Sequence, residues 1–129
     1  MPELPEVEVT RLGVKPHVDG KKVSEVVLRR EGLRWPFPAN LRELILHQTI
    51  LATGRRGKYL LLHFAHGSLL IHLGMSGNLR IMPSKTPPQK HDHVDILLDE
   101  QMLRLTDPRR FGAVLWHDNA DGSLEEHLL

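Results

Sequence analysis

From residue 49 to residue 116, short apolar runs alternate with glycine and proline at close spacing. A chain punctuated in this way has no room for long helices and satisfies its backbone by pairing neighbouring strands antiparallel. The predicted strands are 22–30, 49–53, 58–64, 68–73, 78–82, 93–98, 102–106 and 113–116. Between them lie Glu31-Gly32, Gly54, Gly57, His66-Gly67, the glycines at 74 and 77, a loop over 83–90 with prolines at 83, 87 and 88, and the Asp107 to Gly112 segment. The segment Arg34-Trp35-Pro36-Phe37-Pro38 reads as a rigid, extended connection. Two helices complete the pattern. The first covers 3–13 through apolar Leu4, Val7, Val9 and Leu12 and ends near Gly13 and Pro16; the second is short, over 39–46, through Leu41, Leu44 and Ile45. The expected fold is α+β: an antiparallel β-sandwich of about eight strands with an N-terminal helix and a short second helix.

A length of 129 residues is enough for one core and so one domain, 1–129. With 40% hydrophobic and 26% charged residues the composition is that of a globular protein. The absence of cysteine excludes disulfides and thiolate metal sites. No apolar run approaches the ~20 residues of a membrane span, and the acidic start is unlike a secretory signal. A cytoplasmic monomer with no membrane partner is the expectation. Net charge is only +1, so composition does not announce a nucleic-acid binder. Distribution says more: Glu3, Glu6 and Glu8 gather acid at the start, whereas Arg55-Arg56-Gly57-Lys58 and Arg109-Arg110 are compact basic groups able to hold phosphates. Residues 121–129 read as a turn and a helix barely begun, so the stretch after about 117 is expected to start a linker within a longer protein.

The opening Met1-Pro2-Glu3-Leu4-Pro5-Glu6-Val7-Glu8 admits two readings. Removal of Met1 frees the Pro2 nitrogen as a secondary amine, a nucleophile able to form an iminium with an aldehydic carbon, with a carboxylic acid nearby to move protons. With Met1 attached that nitrogen is an amide and cannot react. The other reading is an ordinary helix start, with proline in the first turn and acid at the positive end of the helix dipole.

Four further segments carry chemistry. In Gly57-Lys58-Tyr59-Leu60 a lysine heads an apolar strand, either snorkelling to solvent or held to meet a phosphate. In His72-Leu73-Gly74-Met75-Ser76-Gly77 the glycines allow a tight turn that projects Met75, as an apolar wedge for DNA or as a side chain folded back into the core. In Lys90-His91-Asp92-His93-Val94-Asp95 the alternating His91, His93 and Asp95 share one face of a strand, as metal ligands or, the favoured reading, as phosphate-contacting or turn-packing groups. Finally, Thr106-Asp107-Pro108-Arg109-Arg110-Phe111-Gly112 sets two arginines and an aromatic ring on one loop, with Asp107-Pro108 making the turn. Guanidinium groups bond base edges and phosphates while a ring stacks, so Arg109, Arg110 and Phe111 are candidate DNA-binding residues.

Taken together and in order, these motifs closely resemble bacterial formamidopyrimidine-DNA glycosylase over essentially the whole chain. The resemblance implies an N-terminal domain of that type and a set of roles. Pro2 attacks C1′ of the damaged nucleotide, Glu3 assists ring opening and proton transfer, Glu6 is a supporting carboxylate, and Lys58 aids departure of the base. Met75, Arg109 and Phe111 fill the gap left by the extruded nucleotide, Arg109 reading the orphaned cytosine, while His72 and His91 contact phosphates. The implied substrate is double-stranded DNA containing oxidised purines, 8-oxoguanine and formamidopyrimidines, cut by β,δ-elimination. Members of the family are more than twice as long and add a helix–two-turn–helix module and a zinc finger. No cofactor is therefore expected in this chain, zinc belongs to the other part, and weak DNA binding with reduced or missing activity is expected of this stretch alone. Two readings compete with it: a lesion-recognition module that binds DNA without chemistry, and a metal hydrolase built on His72, His91, His93 and Asp95.

Overall fold

The structure, a computed structural model, describes residues 4–118. Pro2 and Glu3, and the turn and helix start predicted over 121–129, lie outside the described residues. The elements run α1 (Leu4–Val18), β1 (Glu25–Leu28), α2 (Leu41–Ile45), β2 (Ala52–Arg56), β3 (Tyr59–Phe64), β4 (Gly67–His72), β5 (Asn78–Pro83), β6 (Asp92–Leu98), β7 (Gln101–Thr106) and β8 (Ala113–Asp118). They form two four-stranded sheets, β1-β6-β7-β5 and β2-β3-β4-β8, with every pairing antiparallel. This is the two-helix, eight-strand sandwich that the punctuation predicted.

Alternation along the strands builds the core. Leu60, Leu62 and Phe64 of β3, with Leu69 and Ile71 of β4, share one hydrophobic cluster with Val94, Ile96 and Leu98 of β6 and Leu103 and Leu105 of β7. Burying a side chain of this size stabilises the fold by about 1.5–3 kcal/mol. The helix α1 packs on β2, β3 and β5, and α2 adds Leu41 and Ile45 to the same cluster.

Three details differ from the sequence reading. Helix α1 passes through Gly13 and Pro16 to Val18. Its buried stripe is Val7, Val14 and Val18, whereas Val9 and Leu12, taken as apolar helix positions, are exposed. Pro16 removes one hydrogen bond near the end of the helix, and burial of Val14 and Val18 on either side outweighs that loss. The strand predicted over 22–30 is reduced to Glu25–Leu28, with Lys22 making only an isolated bridge to Thr49. The strand predicted over 49–53 moves to Ala52–Arg56, through Gly54. Its position is set by a two-residue hairpin, in which Arg56 pairs with Tyr59 and Gly57 adopts φ 58, the positive φ that such tight turns require.

Candidate nucleic-acid interface

The loop between β4 and β5 meets the loop between β7 and β8, and one buried carboxylate joins them. Asp107 has no solvent exposure. Its Oδ1 accepts from the Ser76 hydroxyl at 2.8 Å and from the Arg110 N–H at 3.1 Å, while Oδ2 accepts from the Gly112 N–H at 2.9 Å. The Ser76 hydroxyl in turn accepts from the Arg109 N–H at 3.2 Å. Ser76 thus bonds both the acid and the backbone of the facing loop, so neither loop shifts without breaking a bond in the other. Close approach reinforces the join: Gly74 has φ 62, and a Cβ there would lie 2.6 Å from the Gly112 nitrogen. Only glycine fits both the backbone angle and the space.

This clasp presents side chains outward. Met75 is 52% and Phe111 44% exposed, so Met75 is not folded into the core. Arg109 lies over the Phe111 ring, 4.9 Å from guanidinium carbon to ring centroid. Arg110, also exposed, is held at φ 56, a left-handed conformation costly for any residue with a Cβ. Met75, Arg109, Arg110 and Phe111 line an open concavity of about 820 Å³ together with Leu33, Arg34 and Gly74.

Beside this rim stands His72, whose Nδ1 accepts from the Gly74 N–H at 3.0 Å. That bond leaves Nε2 carrying the proton in the neutral ring, as a donor. Burial, and then the positive charges of Lys58 and Arg34, hold the His72 pKa below its usual value, so the neutral donor form prevails near pH 7. Lys58 occupies the second turn position of the β2–β3 hairpin, half-buried, rather than the head of the strand itself. Glu6 is exposed in the first turn of α1.

The predicted basic group over 55–58 is not uniformly available. Arg55 is paired with Glu8 at 3.0 Å and donates to the Gly57 carbonyl. Glu8, bonded by Arg11 and also by Arg55, has its pKa pulled down to about 2.

The alternation proposed for His91, His93 and Asp95 does not exist. A bulge between Asp92 and Val94 interrupts β6, and each residue has a separate partner. His93, 1% exposed, has Nε2 2.9 Å from the Asp107 carbonyl; since a carbonyl only accepts, that nitrogen carries the proton. Asp95 is held by Arg104 at 2.8 Å and Arg29 at 2.7 Å. His91 is half-buried with its ring edge toward His93, and its carbonyl accepts from the Asp107 N–H. Among the described residues no three His, Cys, Asp or Glu side chains form a metal-holding group, and the metal-hydrolase reading loses its ligand set.

Sequence reasoning missed four residues of this region. Asp107 was read only as a turn former and Ser76 only as part of a loop; Arg34 and Trp35 were read as connection. The signal for the first two was present in the polar pair itself, but its separation of 31 residues hides the contact.

Comparisons with known proteins bear on the family and the fold. A family model described as "Formamidopyrimidine-DNA glycosylase N-terminal domain" matches residues 1–114. The formamidopyrimidine-DNA glycosylase of Janthinobacterium sp. (strain Marseille) is 66% identical over all 129 residues, which cover 47% of that protein. That of Herminiimonas arsenicoxydans is 64% identical with the same coverage. The chain therefore spans about half the length of these relatives. Among solved structures, the Lactococcus lactis enzyme bound non-covalently to DNA containing an AP site superposes with TM-score 0.87 at 27% identity, over 98% of this chain and 48% of that one. A complex of the same enzyme with DNA containing N7-benzyl-Fapy-dG gives TM-score 0.89 at 27% identity, over 98% and 46%. By sequence along nearly its whole length and by fold, the chain belongs to the formamidopyrimidine-DNA glycosylase family and carries the N-terminal domain of that family.

Proposed function

We propose that this chain is the nucleophile-bearing half of a base-excision repair DNA glycosylase with AP lyase activity, acting on oxidised purines in duplex DNA. The observation that carries the reading is the clasp of Ser76, Asp107 and Arg109, which holds Met75, Arg109 and Phe111 exposed on one rim beside His72 and Lys58. A base inside a duplex is out of reach of any side chain, so the nucleotide must leave the stack, at a cost of a few kcal/mol. An apolar residue, a ring and a guanidinium on a rigid rim are suited to occupy the gap.

In this reading the Pro2 amine, once Met1 is removed, forms a bond to C1′ as the bond from C1′ to the base breaks. Loss of the ring oxygen linkage gives an iminium, with Glu3 supplying and removing protons and Glu6 supporting it. Elimination then breaks the C3′–O and C5′–O bonds in turn. Lys58 stabilises negative charge developing on the departing base. The neutral His72 donates from Nε2 to a phosphate, and His91 and Arg110 add contacts to the backbone. Arg109 forms hydrogen bonds with the base left unpaired.

The working protein is proposed to be a cytoplasmic monomer; no helix among the described residues is long and apolar enough to cross a membrane. Zinc is assigned to the part of the longer relatives that this chain does not match. This chain has no cysteine to hold it.

Borohydride trapping on an 8-oxoguanine:cytosine duplex tests the reading, with mass spectrometry establishing whether Met1 is gone. At most a weak covalent adduct, lost in Pro2→Gly, is expected of this stretch alone, and a strong one of the full-length protein; full-rate trapping by the 129 residues would contradict the expectation of reduced activity. DNA retention with no adduct from a full-length protein that lacks Met1 would replace the enzyme by a lesion-recognition module.

A further inference from the structure

Arg34 lines the concavity together with the wedge rim and Trp35 is its neighbour in sequence, and nothing in the reading above uses either. Both are exposed, Trp35 at 48%. The Arg34 guanidinium lies over the Trp35 ring, 5.0 Å from its centroid, as Arg109 lies over Phe111 at 4.9 Å. The segment that carries them is rigid. Leu33 N–H bonds the Trp35 carbonyl at 3.1 Å, Phe37 N–H bonds the Glu31 carbonyl at 2.9 Å, and Phe37 is buried as an anchor. A further bond, from Arg34 N–H to the Gly112 carbonyl at 3.1 Å, ties this segment directly to the wedge loop.

Position and charge narrow what this pair is for. Arg34 lines the large concavity with Met75 and Arg109, and also a smaller one of about 230 Å³ with Tyr59, His72 and Phe111. It therefore stands on the divide between the wedge and His72. Its charge is felt at His72, where it acts with that of Lys58 to disfavour protonation. Several arginines of the protein body are ion-paired: Arg11 with Glu8, Arg29 and Arg104 with Asp95, Arg42 with Glu25. Among the described residues Arg34 has a π face as its neighbour instead, which orients a guanidinium without neutralising it. A polyanion passing from His72 to the wedge meets this charge on its way.

We propose that Arg34, oriented by Trp35, is a subsite for a DNA backbone phosphate next to the gap filled by Met75, Arg109 and Phe111. The inference rests on the proposed function for its ligand, duplex DNA, but not on the covalent chemistry. A phosphate contact contributes regardless of sequence and makes affinity salt-dependent, with about 0.9 in the slope of log K against log salt for each phosphate neutralised on B-DNA.

The test is a fluorescence-anisotropy titration of this chain with two duplexes of equal length, one undamaged and one holding a tetrahydrofuran abasic analogue, between about 50 and 200 mM salt. Arg34→Gln is expected to weaken binding of both several-fold and to lower the salt slope by roughly 0.9, with Arg34→Lys keeping the slope. Trp35→Phe retains a ring and should stay near the unsubstituted chain, whereas Trp35→Ala should fall between it and Arg34→Gln. An unchanged slope in Arg34→Gln overturns the subsite, as does failure of the unsubstituted chain to bind either duplex. If the slope falls but no borohydride adduct forms with the full-length protein lacking Met1, the subsite stands and the covalent chemistry fails.

Discussion

The arginines of the β1-β6-β7-β5 sheet and those of the wedge rim are the same residue put to opposite uses. Arg104 is 1% exposed and spends every donor group inside the protein: Asp95 at 2.8 and 2.9 Å, and the Thr86 and Pro87 carbonyls at 3.0 and 3.1 Å. Asp92 lies 3.5 Å away, and Arg29 completes Asp95 from the other side. Arg109 and Arg34 lie instead over aromatic rings at an open concavity. A buried charge is tolerable only with its full set of partners, whereas an exposed one beside a ring keeps its charge for a ligand. One region uses arginine to pin the 83–90 loop to the sheet; the other holds it ready for an anion.

Substitutions should separate the two regions sharply. Asp95→Ala strands Arg104 in the interior and should cost about 3–5 kcal/mol in urea denaturation. A loss well below that would mean water reaches Arg104 and the contrast between buried and rim arginines is overstated. Asp107→Ala comes next, at about 1–3 kcal/mol, because Ser76 and the Arg110 and Gly112 N–H groups lose their acceptor. It should also weaken binding to an abasic-site duplex by loosening the rim, an effect Asp95→Ala should not reproduce at a temperature where both remain folded.

Acidification should cost less than either substitution. Burial holds His93, His72 and His63 below the usual 6.5. Their neutral forms suit the folded chain, so stability is complete above about pH 6.5 and falls as pH drops toward the lowered folded values. Asp95 and Asp92 are also low; burial alone would raise them, but hydrogen bonds outweigh it, from Arg104 and Arg29 for Asp95 and from Thr106 and the Gln89 N–H for Asp92. Their contribution is complete above about 3.8 and is lost as pH falls through the depressed values. Denaturation of His93→Gln at descending pH should show a shallower loss in the upper window; an unaltered profile would remove His93 as its source.

The smallest effects on stability belong to the rim. Arg110→Gly relieves φ 56 and should leave stability unchanged or raise it by up to about 1 kcal/mol, while DNA affinity falls. Met75→Ala should alter stability by less than about 0.5 kcal/mol, yet reduce the preference for a damaged over an undamaged duplex. Preserved preference would show that the wedge is carried by Arg109 and Phe111 without it.

Local pattern made most strands legible: β3 through β5 and β7 lie where alternation and glycine punctuation put them. It failed where a distant contact decides. In α1, Val9 and Leu12 look as apolar as Val14 and Val18, and only the position of β2, β3 and β5 selects which face is covered. At the start of β6, evenly spaced His91, His93 and Asp95 suggest one face, but His91 precedes the strand and the bulge at His93 sends the three to separate partners. Within the site, Met75, Arg109 and Phe111 were legible from motif chemistry, but the Ser76–Asp107 clasp was not, because its halves lie on different loops.

The residue types alone determined an antiparallel sandwich with a lysine, a methionine and two arginines at its turns. Alternating apolar residues leave few other ways to bury them, and glycine sets where the chain reverses. Which charges are silent and which are available was decided only by the tertiary structure. The energy of an arginine depends on burial and on the groups within a few ångströms, and those neighbours come from strands and loops far apart in the chain.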